Sequence, residues 1–167
     1  RDERQGWLGD RAMGSRGESF IFNIANLYSK WIGDIVDEQR KDGSISDVCP
    51  AYWALYSDNV TWDGTPIVLL EMLRTQYADL EVVRQAYPAM KKWHDYMRTR
   101  YLKSGLMPRD TYGDWCVPPD EPEAIHTGDP SKITPGAYIG SAYFYFLTRT
   151  MGHFAHLLGK NGDERDY

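Results

Sequence analysis

The sequence has few of the features that mark membrane or nucleic-acid-binding proteins. It contains no run of about 18 consecutive apolar residues, so no segment is long enough to cross a bilayer as a helix. It has no cluster of basic residues either: 19 Lys and Arg stand against 24 Asp and Glu, and the formal charge is -5. A mildly acidic chain of this kind is not expected to bind the nucleic-acid backbone or an anionic membrane surface.

Cysteine is scarce, and no metal-binding pattern is present. Cys49 and Cys116 are the two cysteines, far apart and without a CxxC pair or a His-rich stretch beside them. Two free buried thiols are the expected state, and a disulfide between them stays open. His153 and His156 lie one helical turn apart, a spacing that suits a metal, but no third ligand is in view. We therefore predict no metal and no cofactor.

The motifs of nucleotide and acyl-transfer chemistry are also missing. The sequence has no P-loop, no GxGxxG fingerprint and no nucleophile elbow around a serine. It does have enough apolar residues for a core, since 42% of its 167 residues are hydrophobic. It also has 12 Tyr and 6 Trp, and aromatic residues at that density form either a core or a stacking surface.

The spacing of apolar residues predicts an almost entirely helical chain. A helical period runs through residues 20–40. Thr65-Pro66 and Thr134-Pro135 show the cap and first-position pattern of two further helices, and the first of these is apolar almost all round. Asp79 is expected to cap another helix, which Pro88 either kinks or divides in two.

Two long irregular stretches, about 41–62 and 104–133, separate these helices. No stretch alternates apolar and polar residues as a half-buried strand does, although 43–50 could hold a short extended piece. Loops of this length are uncommon inside a compact domain and are usually functional or disordered. Both contain Trp, which disordered segments seldom do. We predict ordered loops that wall a site.

The opening segment, RDERQGWLGD, is the densest polar cluster, with three carboxylates, two guanidiniums and a Trp. One interpretation is a solvated, salt-bridged chain end. However, Gly6 and Gly9 flank Trp7, and two glycines help neither a helix nor a charged tail. They would instead allow close backbone approach around an aromatic platform.

The association of Trp, Asp and Gly occurs twice more, as TWDG at 61–64 and YGDW at 112–115. A sugar ring needs this combination, because its apolar face stacks on an aromatic ring while its hydroxyls bond to carboxylates. A core Trp beside a helix-capping Asp would explain a single pair, and Asp63 could cap the helix that begins at Thr65. Three such pairs favour a carbohydrate site.

These segments resemble glycoside hydrolase family 78, the α-L-rhamnosidases, whose signature reads CPxRDERxGWxGD. The segments QRKDGSISDV, TWDG, YGDW and TPGAYIGSAYFYF follow in the order that the family has. The resemblance implies an all-α fold, about half of an (α/α)6 barrel, or helical toroid, with long active-site loops. It also implies that residues 1–167 are the N-terminal part of a catalytic domain, truncated at both ends.

The resemblance also implies roles for single residues. Glu3 matches the general acid, which protonates the glycosidic oxygen. The expected sugar-binding set is Arg1, Trp7, Asp10, Trp62, Asp63, Asp114 and Trp115. The family hydrolyses with inversion, which needs a second carboxylate about 6.5–9.5 Å from the acid. In the family this base is a Glu that would lie beyond Tyr167, so we expect the chain by itself to be a poor catalyst.

The expected function is therefore part of an inverting α-L-rhamnosidase that removes terminal α-L-rhamnose from glycosides or polysaccharides. The expected partners are a rhamnose-containing carbohydrate or glycoside and the rest of the same barrel, with no nucleic acid and no membrane span. Two alternatives stay open: another inverting glycosidase on the same barrel, and a noncatalytic helical carbohydrate-binding module. Secreted, periplasmic and cytoplasmic locations are all compatible with the composition.

Overall fold

The structure is a computed structural model that describes residues 3–113, 129 and 133–167. Its elements in chain order are α1 (Leu8–Glu18), α2 (Ala25–Asp37), α3 (Val60–Asp63), α4 (Thr65–Tyr77), α5 (Leu80–Tyr101), α6 (Gly136–Leu157) and α7 (Asn161–Asp166). The described ranges contain no strand, only isolated bridges that join Trp7 to Val48 and Lys103 to Leu106. The all-α prediction is confirmed. None of the described helices has the length and apolar character that crossing a bilayer requires.

Helix α4 lies at the centre of the packing and contacts α1, α2, α5 and α6. It begins at Thr65-Pro66, as predicted, with proline in the first turn where its missing N–H leaves no bond unmade. Ile67, Leu69 and Leu70 are fully buried. The apolar run therefore packs on several neighbours at once, which explains why apolar residues surround most of this helix.

Asp79 caps helix α5 directly before its first residue, Leu80. The Asp79 Oδ1 accepts a hydrogen bond from the Val82 backbone N–H at 3.1 Å. This confirms the predicted cap. Pro88 does not divide the helix, which runs without a break from Leu80 to Tyr101. Buried Tyr87 and Met90 stand on either side of it and continue the same packed face, so tertiary contacts hold the helix through the proline.

The helix predicted over 20–40 is shorter in the structure, because α2 covers only Ala25–Asp37. The Tyr77 hydroxyl holds the preceding residues in a turn. It accepts from the Ile24 backbone N–H at 3.2 Å and donates to the Phe22 carbonyl at 3.1 Å. The apolar side chains of Phe20 and Phe22 consequently stand exposed and do not continue the helix.

Helix α1 was not expected, since its sequence is polar and contains several glycines. It begins at Leu8, directly after Trp7, and packs on α3 and α4. Leu8 is completely buried against these neighbours, and Gly9 is buried as well. Its position depends on tertiary packing, because its own apolar face is too narrow to predict a helix.

Helix α6 begins at Gly136, directly after the predicted Thr134-Pro135 signal, and Leu158 follows its last residue. Gly159 then turns the chain with a positive φ of 69°, as expected of a glycine that follows a helix. Cys49 is free and buried, as predicted. Cys116 lies outside the described residues.

Candidate functional site

The opening segment is held against residues 47–49 by backbone hydrogen bonds. The Cys49 N–H donates to the Gly6 carbonyl at 2.9 Å, and the Leu8 N–H donates to the Asp47 carbonyl at 2.9 Å. A Cβ on Gly6 would lie 2.1 Å from the Cys49 carbonyl oxygen, so only glycine fits. This pairing is the short extended piece expected within 43–50, and it fixes Trp7 at the start of α1.

Gly9 lets the first turn of α1 rest directly on the indole of Trp62. A Cβ on Gly9 would come within 2.3 Å of the Trp62 ring. Close backbone approach to an aromatic platform was the predicted use of this glycine, and the structure confirms it. Trp62 itself lies on the one-turn helix α3, whereas an irregular loop was expected.

An aromatic wall is formed by Trp62, Tyr112 and Trp7. The ring centroids of Trp62 and Tyr112 are 4.8 Å apart, and those of Trp7 and Tyr112 are 6.4 Å apart at 75°. Trp53 meets the other edge of Trp7 at 6.2 Å. The Tyr112 backbone N–H donates to Asp110 at 3.0 Å, which fixes the segment that carries this ring.

This wall borders a pocket of about 650 Å³. We call it the aromatic pocket, and its lining residues are Glu3, Trp7, Gly9, Asp10, Met13, Trp62 and Tyr112. A second groove of about 560 Å³ shares Glu3, Trp7 and Asp10 and continues towards Arg11 and Trp31. Exposed carboxylates next to aromatic faces suit a ligand that has both hydroxyls and an apolar side.

Glu3 stands where the two grooves meet. Its Oε2 accepts a hydrogen bond from the Trp7 indole N–H at 2.7 Å, which orients the carboxyl group along the pocket rim. The side chain is exposed, so a bound ligand can reach it. A carboxyl group in this position can take part in proton transfer to a ligand atom.

The structure brings together half of the predicted site. Glu3, Trp7, Asp10 and Trp62 all line the aromatic pocket. Arg1, Asp114 and Trp115 lie outside the described residues. Asp63 differs from the expectation, because it is fully buried beneath the pocket and does not line it. It does not cap α4 either, since Gly64 precedes that helix without any side-chain cap.

Two pocket residues were not predicted. Tyr112 belongs to the YGDW segment, of which only Asp114 and Trp115 were predicted as site residues. Met13 lies one turn after Asp10 on α1, so its position became readable only once that segment was known to be helical. In both cases the residues adjacent in sequence to a predicted site carried the signal.

A wider groove of about 840 Å³ between residues 41–42 and α5 has a different chemistry. Its wall includes Lys91, Lys92 and Arg100. Lys91 pairs with Asp95 at 3.1 Å, and Lys92 donates to the Arg40 carbonyl at 3.1 Å. These cations bond to protein groups, and the groove has none of the carboxylate and Trp pairs of the aromatic pocket.

Comparison with known proteins identifies the family. Residues 1–167 match the model of the bacterial alpha-L-rhamnosidase 6 hairpin glycosidase domain. An alpha-L-rhamnosidase of Streptomyces avermitilis is 30% identical over 161 residues, 96% of this chain and 14% of that protein. A second relative, from an Alteromonas species, is 26% identical over the whole chain and 18% of its own length.

Solved structures agree with this result. The alpha-L-rhamnosidase of Dictyoglumus thermophilum superposes with a TM-score of 0.86 at 32% identity, covering 100% of this chain and 18% of that one. The Streptomyces avermitilis alpha-L-rhamnosidase complexed with L-rhamnose gives a TM-score of 0.80 at 30% identity, covering 95% of this chain and 14% of that one. The chain thus spans less than a fifth of these relatives, and it belongs to the bacterial α-L-rhamnosidase six-hairpin glycosidase domain family.

Proposed function

We propose that this chain supplies the acid-bearing side of the active site of an inverting α-L-rhamnosidase, with Glu3 as the general acid. The observation that carries the proposal is the Glu3–Trp7 hydrogen bond of 2.7 Å at the rim of an aromatic pocket. Its support is the family of the chain and the relative that was solved with L-rhamnose.

The hydrogen bond from Trp7 engages Oε2 of Glu3, and no other described residue donates to this carboxyl group, so its second oxygen can carry a proton. As the bond between the anomeric carbon and the glycosidic oxygen breaks, that proton passes to the leaving oxygen. A water molecule adds its hydroxyl to the opposite face of the sugar and gives its proton to a carboxylate base. We place that base in a part of the protein beyond this chain.

The rest of the pocket would bind the sugar. Trp62 and Tyr112 offer flat apolar faces for one side of the ring, and exposed Asp10 offers oxygens to the hydroxyls. Arg1, Asp114 and Trp115 remain candidates by family resemblance. We withdraw Asp63 from the sugar-contacting set, because its side chain has no exposed surface.

The same proposal makes residues 1–167 the N-terminal part of a larger (α/α)6 catalytic domain. Several large apolar side chains stand exposed in the described part of the chain, among them Phe20, Ile21, Phe22, Leu27, Tyr138 and Tyr145. Patches of this kind mark protein interfaces. The remaining helices of the barrel are the partner that we assign to them.

The test is the hydrolysis of an aryl α-L-rhamnoside by the whole protein that carries this chain. Glu3→Gln keeps the shape of the side chain but has no proton to donate, so kcat should fall by about 10²–10⁴-fold. Binding of L-rhamnose, measured by titration calorimetry, should change little. The 167-residue chain by itself should show hardly any turnover, because the base is missing.

Glu81→Gln is the matched control, since Glu81 is an exposed glutamate on α5 that pairs with Arg84 far from the pocket. It should retain full activity. Near-normal turnover in Glu3→Gln would overturn the acid assignment. Turnover of other aryl glycosides but not of rhamnosides would favour a different inverting glycosidase, and rhamnose binding without any turnover would indicate a binding module.

A further inference from the structure

Asp63 is a buried carboxyl group near the aromatic pocket for which the described part of the chain shows no hydrogen-bond donor. It ends helix α3, one residue after Trp62, and its side chain is completely buried. Neither of its oxygens has a hydrogen-bond partner in the described part of the chain. A buried ionised carboxylate without donors is strongly unfavourable, so this side chain requires an explanation.

The neighbouring carboxyls differ from Asp63 because each accepts several hydrogen bonds. Asp110 accepts from the Thr61 N–H and hydroxyl at 2.9 and 2.8 Å, and from the Tyr112 and Gly113 N–H groups. Asp58 accepts from the hydroxyls of Ser44, Tyr96 and Tyr101. Donors of this kind stabilise the ionised form of a carboxylate.

Asp47 is fully buried as well, yet both of its oxygens have donors. Oδ1 accepts from the Ser57 N–H and hydroxyl at 3.2 and 2.8 Å. Oδ2 accepts from the Tyr112 hydroxyl at 3.2 Å. Asp47 therefore connects the buried layer to the ring of Tyr112, which forms part of the pocket wall.

A proton on Asp63 would resolve its isolation. Burial raises the pKa of Asp63 well above its ordinary value of 3.8, and the neighbouring carboxyls of Asp47, Asp58 and Asp110 raise it further, Asp47 the most among them. Two ionised carboxylates offer each other no donor, whereas a protonated Asp63 can donate its O–H to Asp47. The phenol of Tyr112 also faces this cluster: burial raises its pKa, and the charges of Asp47 and Asp63 both raise it further.

We propose that Asp63 is a positioning residue that stays protonated and donates to Asp47, which in turn holds the Tyr112 hydroxyl and so sets the aromatic wall of the sugar pocket. The positioning role rests on the proposed function, whereas the site of the proton does not. Ionising Asp63 would place two buried negative charges side by side. The resulting repulsion would displace α3 and Tyr112, and the pocket would lose its fit to the ligand.

Infrared spectroscopy of the whole protein tests the site of the proton. A protonated carboxylic acid has a carbonyl stretch separate from that of a carboxylate. This band should be present at neutral pH and disappear in Asp63→Asn. A band that remains unchanged in Asp63→Asn, or that is absent from the native protein, would overturn the proposal whatever the enzyme's substrate is.

Calorimetric titration with L-rhamnose tests the positioning role. Asp63→Asn remains neutral and its amide can donate to Asp47, so the affinity should stay within about twofold, since one donor replaces another. Asp63→Ala leaves Asp47 without this donor, and the affinity should fall about tenfold. Affinity of the native protein should also fall as pH rises through the raised pKa of Asp63, while Asp63→Asn shows no such fall.

These outcomes separate the two proposals. If Asp63→Asn loses the affinity as fully as Asp63→Ala does, or retains the native fall with pH, the positioning role is wrong. If the native protein binds no L-rhamnose but shows the carboxylic acid band, the proposed function fails and the protonated Asp63 stands. Because Asp63→Asn preserves volume and hydrogen bonding, a folding failure of Asp63→Ala leaves these tests decisive.

Discussion

Two buried titratable groups lie in different parts of this molecule. Asp63 lies beneath the aromatic pocket, and His94 lies on α5 and packs against α6. Burial is the largest cause of the pKa shift in both. It raises the pKa of Asp63 well above 3.8 and lowers the pKa of His94 from 6.5 to about 4. Since burial disfavours the charged form of any group, it favours the protonated carboxylic acid of Asp63 and the neutral imidazole of His94.

The surroundings of the two groups differ. The His94 ring stacks on Phe144 at 4.7 Å and meets the edge of Tyr167 at 4.8 Å. Its Nε2 lies 2.8 Å from the hydroxyl of Thr148. Asp63 instead lies among carboxyls. A neutral imidazole between aromatic rings is a packing element, whereas a protonated carboxyl beside an ionised one is a hydrogen-bond donor near a binding site.

The largest expected effect is a loss of stability at low pH, and it tests the His94 half of this comparison. The folded protein binds a proton at His94 less tightly than the unfolded chain does. The contribution of neutral His94 to the free energy of unfolding is therefore complete above pH 6.5 and is lost as pH falls towards 4. This loss amounts to about 3 kcal/mol. His94→Gln keeps a donor for Thr148 and should remove this part of the pH dependence.

Urea denaturation of the native protein and His94→Gln between pH 6.5 and 4 measures this difference. The charged neighbours Lys91, Asp95 and Arg98 are unchanged in the variant, so they act as an internal control. An equal loss of stability on acidification in both proteins would show that His94 is not held neutral by burial.

Asp63 acts in the opposite direction: its proton stabilises the fold fully below pH 3.8, and this stability is lost as pH rises towards the raised pKa.

A smaller effect tests the pocket half of the comparison, through the contact between Gly9 and the Trp62 ring. In Gly9→Ala the new methyl group would lie 2.3 Å from the Trp62 ring, so the ring must move and the unfolding free energy should fall by roughly 1–3 kcal/mol. Gly17→Ala is the matched control on the same helix, because nothing lies within 4 Å of its Cβ position. Alanine there should stabilise α1 slightly, by up to about 1 kcal/mol. Equal stability of the two variants would contradict the close contact between α1 and Trp62.

The smallest effect concerns the partner of His94. Thr148 donates its hydroxyl proton to the Phe144 carbonyl at 2.8 Å, so its oxygen accepts from the imidazole. Thr148→Val leaves that N–H without an acceptor and should cost about 1 kcal/mol more than Thr150→Val. Thr150 is the control, because its hydroxyl makes the same bond two residues further along, to the Phe146 carbonyl at 3.0 Å, and has no hydrogen bond to an imidazole among the described residues. Thermal unfolding compares the two, and identical midpoints would show that the His94 contact carries no energy.

Local signals in the sequence predicted the helices that depend on them. Thr65-Pro66 and Asp79 mark the beginnings of α4 and α5 through local effects: a proline in the first turn needs no N–H partner, and the Asp79 side chain accepts from the Val82 N–H. Helix α1 has no such signal, and neighbouring helices supply its stability. The start of α2 depends on Tyr77, more than 50 residues away in the chain, which no local pattern reports.

The site residues divide in the same way, into those that the sequence indicated and those that only the fold reveals. The association of Trp, Asp and Gly around Trp7, Asp10 and Trp62 already indicated a carbohydrate site, and Glu3 was added by the family resemblance. The pocket brings these four side chains together. Tyr112 was missed because it reaches the pocket only through the fold of the segment fixed by Asp110. Asp63 was predicted to bind the sugar, but on the one-turn helix α3 its side chain is completely buried, whereas that of Trp62 lines the pocket.

The sequence by itself determined the helical class, the beginnings of α4, α5 and α6, and the family, because periodicity, caps and a long motif are properties of neighbouring residues. The tertiary structure decided which polar groups meet solvent and which are sealed from it. Burial depends on every element that packs around a side chain, so Asp10 faces a pocket while Asp63 lies beneath it, although both are aspartates close to a tryptophan. The charge that such a group carries follows from its burial, and the residue type alone does not reveal it.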